Sequence, residues 1–514
     1  MTDRNEPIAA LWDRLAAREQ PTLDELFARD PARLPALSRR IEWPGADGET
    51  GGMTIDFSKT HLDGALLDDF EQLAQSCQFE AMSEALFDGE IVNLTEQRAA
   101  THPAMRGSGS HADTEEAGAL LARMGMLVEA IHEGVLGDVR HLIHIGIGGS
   151  ALGPALGIDA LTRDLAKVDV HVVSNIDGLA LEAAFAACDP AKTLIAVASK
   201  TFTTIETMTN AASALQWLER EGVADPSGRV IALTANPEKA VEWGVDETRI
   251  LPFPESVGGR YSLWSSIGFP LALAIGMKEF REFLLGAQAI DNHFREAKGR
   301  DNLPLLAAFA DQYYTRIRGC QTRAVFAYDE RLALFPDYLQ QLEMESNGKQ
   351  VKADGTPVSG ATAPVTWGGV GTDAQHAVFQ LLHQGTHLVP VDFIANIAPG
   401  DALDPAHHRI LLMNCLAQGA ALMAGKASRD DPARRYPGDR PSTTFLLDDL
   451  DAAALGALIA FHEHRTFANA ILMQINPFDQ FGVELGKAIA NQIDAGRGEF
   501  DASTCALMEA AGLR

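Results

Sequence analysis

Short, unbroken apolar runs that alternate with helical stretches constrain this chain more than any other feature. Arg140–Ile147, Val168–Val173, Thr193–Ala198 and Arg229–Leu233 read as strands of this kind. Such a rhythm predicts a parallel sheet covered by helices on both faces. A helical stretch from about 265 to 318 interrupts it. The rhythm then returns with strands at Ala324–Ala327, Val365–Trp367 and His387–Phe393, and helices at Leu334–Gln341 and Asp373–Gln384. The expected fold is therefore α/β, with two doubly wound, mainly parallel domains.

The flanks differ. Trp12, Leu15 and Ala16, then Leu66, Leu67, Phe70 and Leu73, have helical spacing, so residues 1 to about 100 are expected to be mainly helical. A helix from Thr114 to Glu133 follows the Gly107–Asp113 loop, and helix returns from about Asp448. We divide the 514 residues into a helical N-terminal extension (1–110), a first α/β domain (111–285), a second (286–490) and a helical tail (491–514).

Ligands of parallel α/β sheets bind where strands end and helices begin, because free backbone N–H groups and the positive helix end point there. Two segments have that character. "IGIGGSALG" (145–153) carries glycines that let backbone approach a bound group. "SKTFTT" (199–204) gathers hydroxyls around Lys200 at the end of an apolar run. Neutral donors with one cation suit a terminal phosphate of charge about −1.5 to −2. The plainer alternative is that Thr201, Thr203 and Thr204 cap a helix. A rival ligand is a dinucleotide, since Gly146-x-Gly148-x-x-Ala151 follows a strand and Asp177 lies after the next one.

Candidate chemical groups follow. "QLEMESNGK" (341–349) holds Glu343 and Glu345; on a helix these diverge and only one points inward. The alternative is a solvated helix end with Asn347-Gly348 as a left-handed stop. Arg260 follows two glycines among aromatics and either clamps an anion or packs on Tyr261 or Trp264. His376 lies one turn into a helix, while His383 and His387 look structural. Lys487, taken alone, reads as surface. "HEH" at 462–464 is too weak a signal for a metal site.

Composition excludes some partners. Lys and Arg total 42 against 70 Asp and Glu, a net charge of −28, which disfavours nucleic acid and anionic membranes. The first twenty residues show no signal-peptide pattern. The two most apolar windows, Ser262–Met277 and Ile410–Gly425, are too short to span a bilayer and are expected to be buried helices. Five scattered cysteines without CxxC fit a reducing cytoplasm.

Read in order, "GIGGSALGP" (146–154), "SKTFTTIET" (199–207), "VGGRYSLWS" (257–265), "MESNGK" (344–349), "GTDAQH" (371–376) and "FDQFGVELGK" (478–487) resemble segments of the glucose-6-phosphate isomerase family. "NLTEQRAATHPAMR" (93–106) is similar to a further stretch. Ala151 departs from the family's usual Asp, and Asp373-Ala374 from its Asn-Gly. The resemblance implies sugar-isomerase-type domains and interconversion of glucose 6-phosphate and fructose 6-phosphate without cofactor or metal. It also implies a homodimer with shared sites, in which His376 serves the partner. By the same resemblance Glu345 is the base, His376 and Lys487 open the ring, and Arg260 stabilises the intermediate. Gly149, Ser150, Ser199, Lys200, Thr201 and Thr204 hold the phosphate, with Gln341 and Gln480 positioning the sugar. The rival readings are an NAD-dependent dehydrogenase, a non-catalytic phosphosugar sensor and an isomerase of another phosphosugar.

Overall fold

The computed structural model describes residues 7–45, 50–163 and 166–513. They form two compact units, Met1–Pro477 and Phe478–Arg514. The first unit contains both sheets. Strands are β1 (Ser38–Pro44), β2 (Thr50–Asp56), β3 (His141–Gly146), β4 (Asp169–Val173), β5 (Thr193–Ala198) and β6 (Val230–Thr234). They continue with β7 (Ile250–Pro252), β8 (Thr322–Tyr328), β9 (Val365–Val370), β10 (Val391–Asn396) and β11 (Ser442–Leu447).

The first sheet is all parallel, in the order β4-β3-β5-β6-β7. Every residue of β5 and β6 is buried, as expected for strands covered on both faces. Helices Gly178–Ala187 and Ile205–Arg220 pack one face through Leu181, Ala184, Ala211 and Leu218 against Ile143, Ile145 and Val197. The chain moves from β3 to β4 on one side, then crosses back to β5 on the other. The crevice beyond the ends of β3 and β5 is thus the switch point of the sheet, where ligands of such folds bind.

The second sheet has the order β1-β2-β11-β10-β8-β9. Strands β8 to β11 are parallel, while β1 and β2 are antiparallel additions. The expectation of a mainly helical N-terminal segment did not include this hairpin. Each hairpin strand buries only two large apolar side chains, Ile41 and Trp43 in β1, Met53 and Ile55 in β2. Four alternating residues are a weak signal, and the edge of β11 supplies the rest of the driving force through its ladder with β2.

Helix Ala452–Met473 is buried along its whole length. It carries His462, Glu463, His464 and Arg465 into the interior, where each charge has a partner. Glu463 accepts from the Arg106 guanidinium at 2.5 Å and from the Trp264 indole at 2.9 Å. Asp291 holds His464 at 2.6 Å and Arg106 at 2.6 Å. Glu463 and His464 of the HEH triplet thus belong to a buried ion network, while His462 packs among Phe335, Phe445 and Phe461.

Two helix expectations are corrected as well. Helix Ala406–Ala424 takes in the apolar window from Ile410 up to Ala424, yet Ile410, Met413 and Leu416 are 53–57% exposed; only Cys415, Gly419 and Leu422 of the helix are buried. Helix Phe335–Asn347 runs past Gln341 to Asn347 and does not end in a left-handed residue, since Gly348 has φ −73°. Its glycine is required for another reason: a Cβ there would lie 2.3 Å from the Met344 carbonyl oxygen. Among the described residues no helix is long and apolar enough to cross a membrane.

Candidate active site

Three loops meet at the switch point of the first sheet. After β3 the chain turns through Gly148, in the left-handed region at φ 58°, into a short 3-10 turn, Gly148–Ser150. His144, on β3, is buried, and its Nε2 lies 2.7 Å from the Ser150 carbonyl oxygen. Burial pushes this imidazole down to about 4, so it stays neutral at neutral pH and fixes the turn by donating. Gly149 then packs directly on the next loop. A Cβ on it would fall 2.2 Å from the Gly259 carbonyl carbon and 2.5 Å from the Arg260 nitrogen. Only glycine lets these two backbones touch.

The loop after β5 is arranged around Phe202, a non-glycine residue at φ 54°. Its ring is buried, 6.1 Å from the Trp243 ring centre, and this anchor sustains the unusual backbone. Of the flanking hydroxyl residues, Thr201 and Thr203 are exposed, Thr204 is half-buried and Ser199 is buried. Ser199 Oγ lies 3.1 Å from Thr204 Oγ1, and Thr203 donates to Thr201 at 2.8 Å. Thr204 is the residue before helix Ile205–Arg220, but its side chain makes no capping bond. The capping alternative therefore fails for Thr204. The Lys200 ammonium donates to the carbonyls of Glu255 (2.6 Å) and Val257 (3.2 Å), tying this loop to the segment before Arg260. Burial lowers its proton affinity. Asp177, the candidate ribose acid, caps helix Gly178–Ala187 by accepting from the Leu179 N–H.

Arg260 is almost completely buried and points across to helix Phe335–Asn347. Its Nε donates to Ser346 Oγ at 2.6 Å, its Nη2 to the Pro477 carbonyl, and its Nη1 lies 3.3 Å from Glu345 Oε2. Ser346 Oγ is also 2.9 Å from the Tyr261 hydroxyl. The guanidinium also lies 5.4 Å from the Tyr261 ring centre, so it packs on that aromatic while it pairs with Glu345. Gln341, one turn before Glu345, donates to the same carboxylate oxygen at 3.0 Å. A Cβ on Gly148 would sit 3.1 Å from the Gln341 amide nitrogen, which puts the turn after β3 beside the carboxylate's own partner.

Glu343 and Glu345 diverge on the helix. Glu343 is 2% exposed and accepts from Asn347 (3.0 Å) and Thr466 (3.2 Å). Glu345 is half-buried, its side chain 20% exposed. Sequence reasoning missed His144 and Ser346. His144 is a polar residue at an inward strand position, and Ser346 sits inside the quoted "MESNGK" segment.

Of the other candidates, His376 belongs to a different helix, and Gln480 and Lys487 belong to the second unit. His376 is exposed in the second turn of helix Gly371–Gln384. His383 is 2.9 Å from Gln418 Oε1 and is structural. Within the second unit, half-buried Gln480 precedes the turn Phe481–Val483, and Lys487 is exposed in the first turn of helix Glu484–Asp494.

A doubly wound sheet whose switch point carries a glycine turn and a hydroxyl loop, facing a carboxylate held by arginine, defines a sugar-isomerase-type α/β protein. The comparisons agree and go further. A family model described as phosphoglucose isomerase matches residues 56–508. The chain is 71% identical over 509 residues to a glucose-6-phosphate isomerase of Erythrobacter litoralis, with 98% of each chain covered. It is 68% identical over 503 residues to one of Novosphingobium aromaticivorans, again with 98% of each covered. The crystal structure of a glucose-6-phosphate isomerase from Chlamydia trachomatis superposes with a TM-score of 0.86 at 30% identity, covering 99% of each chain. This chain belongs to the phosphoglucose isomerase family.

Proposed function

We infer that this chain interconverts glucose 6-phosphate and fructose 6-phosphate, the aldose–ketose step of glycolysis and gluconeogenesis, by proton transfer through a cis-enediol. The observation that carries the mechanism is the Glu345 carboxylate, held between Gln341 and Arg260 and still partly accessible. A carboxylate facing C1 and C2 from one side can take the proton from one carbon and return it to the other. A positioned base of this kind is typically worth about 10² to 10⁴ in rate. As the proton leaves, negative charge grows on the enediol oxygens. Arg260 is fixed by Ser346 and Pro477 before substrate arrives, so it stabilises that charge without reorganising.

The phosphate is assigned to Gly149, Ser150, Ser199, Lys200, Thr201 and Thr204. Hydroxyls and backbone donors at the head of helix Ile205–Arg220 suit a dianion far from the bonds that change. Binding there orients the reacting end. Lys200 contributes its charge while its Nζ ties two loops together. Ring opening is assigned to His376 and Lys487, and sugar positioning to Gln341 and Gln480. Imidazole suits the first task because it both takes and gives a proton near neutral pH.

We assign the working form to a homodimer in which His376 serves the partner's site. Two features support this. His376 is exposed, and the neighbouring helix Ala406–Ala424 exposes Ile410, Met413 and Leu416. We also retain the division at 110, 285 and 490, a cytoplasmic location for this acidic chain, and no partner nucleic acid or membrane.

The test follows glucose 6-phosphate by NMR in deuterated solvent with excess EDTA and no nucleotide. Fructose 6-phosphate, with deuterium at C2 of the recovered aldose, is the expected outcome. Binding without product would refute the isomerase reading. Sedimentation velocity checks the dimer, and a monomer at micromolar concentration would remove it.

A further inference from the structure

Away from the substrate crevice, at the start of β3 and on the edge strand β4, lies a second cluster of chemically competent side chains. His141 opens β3 and His171 lies in β4, while Cys188 ends the helix Gly178–Ala187. The pairing of β3 with β4 sets His141 against Asp169 and Ile143 against His171. Since 141 and 143 share a face of the strand, both imidazoles and the Asp169 carboxylate project to the same side. That side carries Ile143, Leu181 and Ala184, and Cys188 packs against this group. One ligating atom from each of His141, His171 and Cys188 lies within 4.8 Å of the other two. The imidazole rings are 6.2 Å apart at 42°. His141 Nδ1 is buried without a hydrogen-bond partner, 3.8 Å from Asp169 Oδ2.

We propose that His141, His171 and Cys188 form a binding site for a divalent cation of the zinc class, with Asp169 supplying the fourth ligand. Two imidazoles and one thiolate are a borderline-soft donor set, which selects zinc over magnesium or calcium. In a tetrahedral site with bonds of about 2.0–2.3 Å, ligand atoms sit roughly 3.3–3.6 Å apart. The three atoms of His141, His171 and Cys188, within 4.8 Å of one another, are thus already close to those separations. Cys188 binds as thiolate, its proton passing to solvent. The His141 Nδ1 atom gains a bond that no other described residue provides. His141 is five residues from Gly146 along β3, roughly 17 Å at strand rise, so this ion takes no part in the isomerisation. Its effect is to clamp β3, β4 and the end of the helix between β4 and β5.

The test uses the full-length protein, stripped with chelator and titrated with Co²⁺ and then Zn²⁺. One equivalent of Co²⁺ per chain should give tetrahedral d–d absorption with a thiolate charge-transfer band. Zn²⁺ should bleach both and raise the melting temperature. Cys188→Ala should abolish the charge-transfer band and the thermal shift while leaving isomerase turnover at the wild-type level. His171→Ala should weaken Co²⁺ binding by tenfold or more. Absence of the thiolate band in the wild type would overturn the proposal. So would a band that survives Cys188→Ala, or unchanged affinity in His171→Ala. None of these readouts depends on the reading of Glu345.

Discussion

Two carboxylates two residues apart on one helix have opposite surroundings. Glu343 enters a sealed centre where Arg323, Asp311, Arg465 and Asp392 lie together, all but excluded from solvent. Asp311 receives a two-pronged contact from Arg465 and both oxygens receive Arg323 at 3.0 Å, which holds its carboxyl well below the usual range despite burial. Every charge there has an oppositely charged neighbour within 4 Å. Glu345 has one glutamine, one arginine at 3.3 Å and an open side. The contrast separates two uses of the same side chain. A carboxylate whose acceptors are all filled by fixed donors holds elements together. One left partly accessible beside a fixed cation can exchange a proton with a ligand.

The sharpest way to break this comparison is to neutralise each member. Glu345→Gln should lower kcat by about 10² to 10⁴ with the melting temperature almost unchanged. Turnover near wild type would end the assignment of Glu345 as base. Glu343→Ala should do the reverse. It leaves part of a buried ion network unpaired, so stability should fall by about 3 kcal/mol or more, with kcat per folded molecule retained. Denaturant midpoints measured alongside steady-state kinetics check both. A Glu343 variant that is stable but inactive would show that the sealed centre also tunes the site.

A third change sharpens the comparison on the histidine side. The folded His144 is depressed from 6.5 to about 4 by burial. Between those values the unfolded chain binds more protons, so this stability is complete above about pH 6.5 and is lost as pH falls through about 4. Its full size is about 3 kcal/mol. His293, also pushed to about 4 by burial, acts in the same direction, while Glu463, raised to about 7 by burial, acts against both. His144→Gln keeps a donor for Ser150 but does not titrate. Its stability should therefore decline less than wild type between pH 6.5 and 4; parallel curves would deny His144 a role in acid unfolding. The smallest effect belongs to Arg260→Lys. The charge survives but the planar fork shared by Ser346, Pro477 and Glu345 does not, and kcat should fall by about tenfold. A neutral result would leave Arg260 with packing alone.

The sheets differ in how their switch points are used, and this was not legible in the apolar rhythm. In the second sheet the corresponding corner, between the ends of β8 and β10, is taken by Asp329. It accepts from Asn396 at 2.6 Å and from Arg331 at 2.8 Å. In the first sheet the corner is lined by glycine and hydroxyls. Both patterns follow strands of similar composition. The residues after the strand, not the strand itself, decide which crevice stays open.

The sequence by itself determined the elements whose signal is local. Strand β5 has the bounds read from its apolar run, and the helix at Gly371–Gln384 begins two residues before the expected start. Periodicity and glycine placement are properties of neighbouring residues, and they survive folding. Only the tertiary structure decided the rest. That Glu343 is sealed and Glu345 open depends on Thr466 and Arg323, more than a hundred residues away in one case. That β1 and β2 form strands depends on the free edge of β11. That Lys200 reaches the carbonyls of Glu255 and Val257, and that Gly149 must have no side chain, depends on two loops meeting. Helicity and strand pairing are largely written in short windows of sequence, whereas the environment of a charge is set by whatever the fold brings against it.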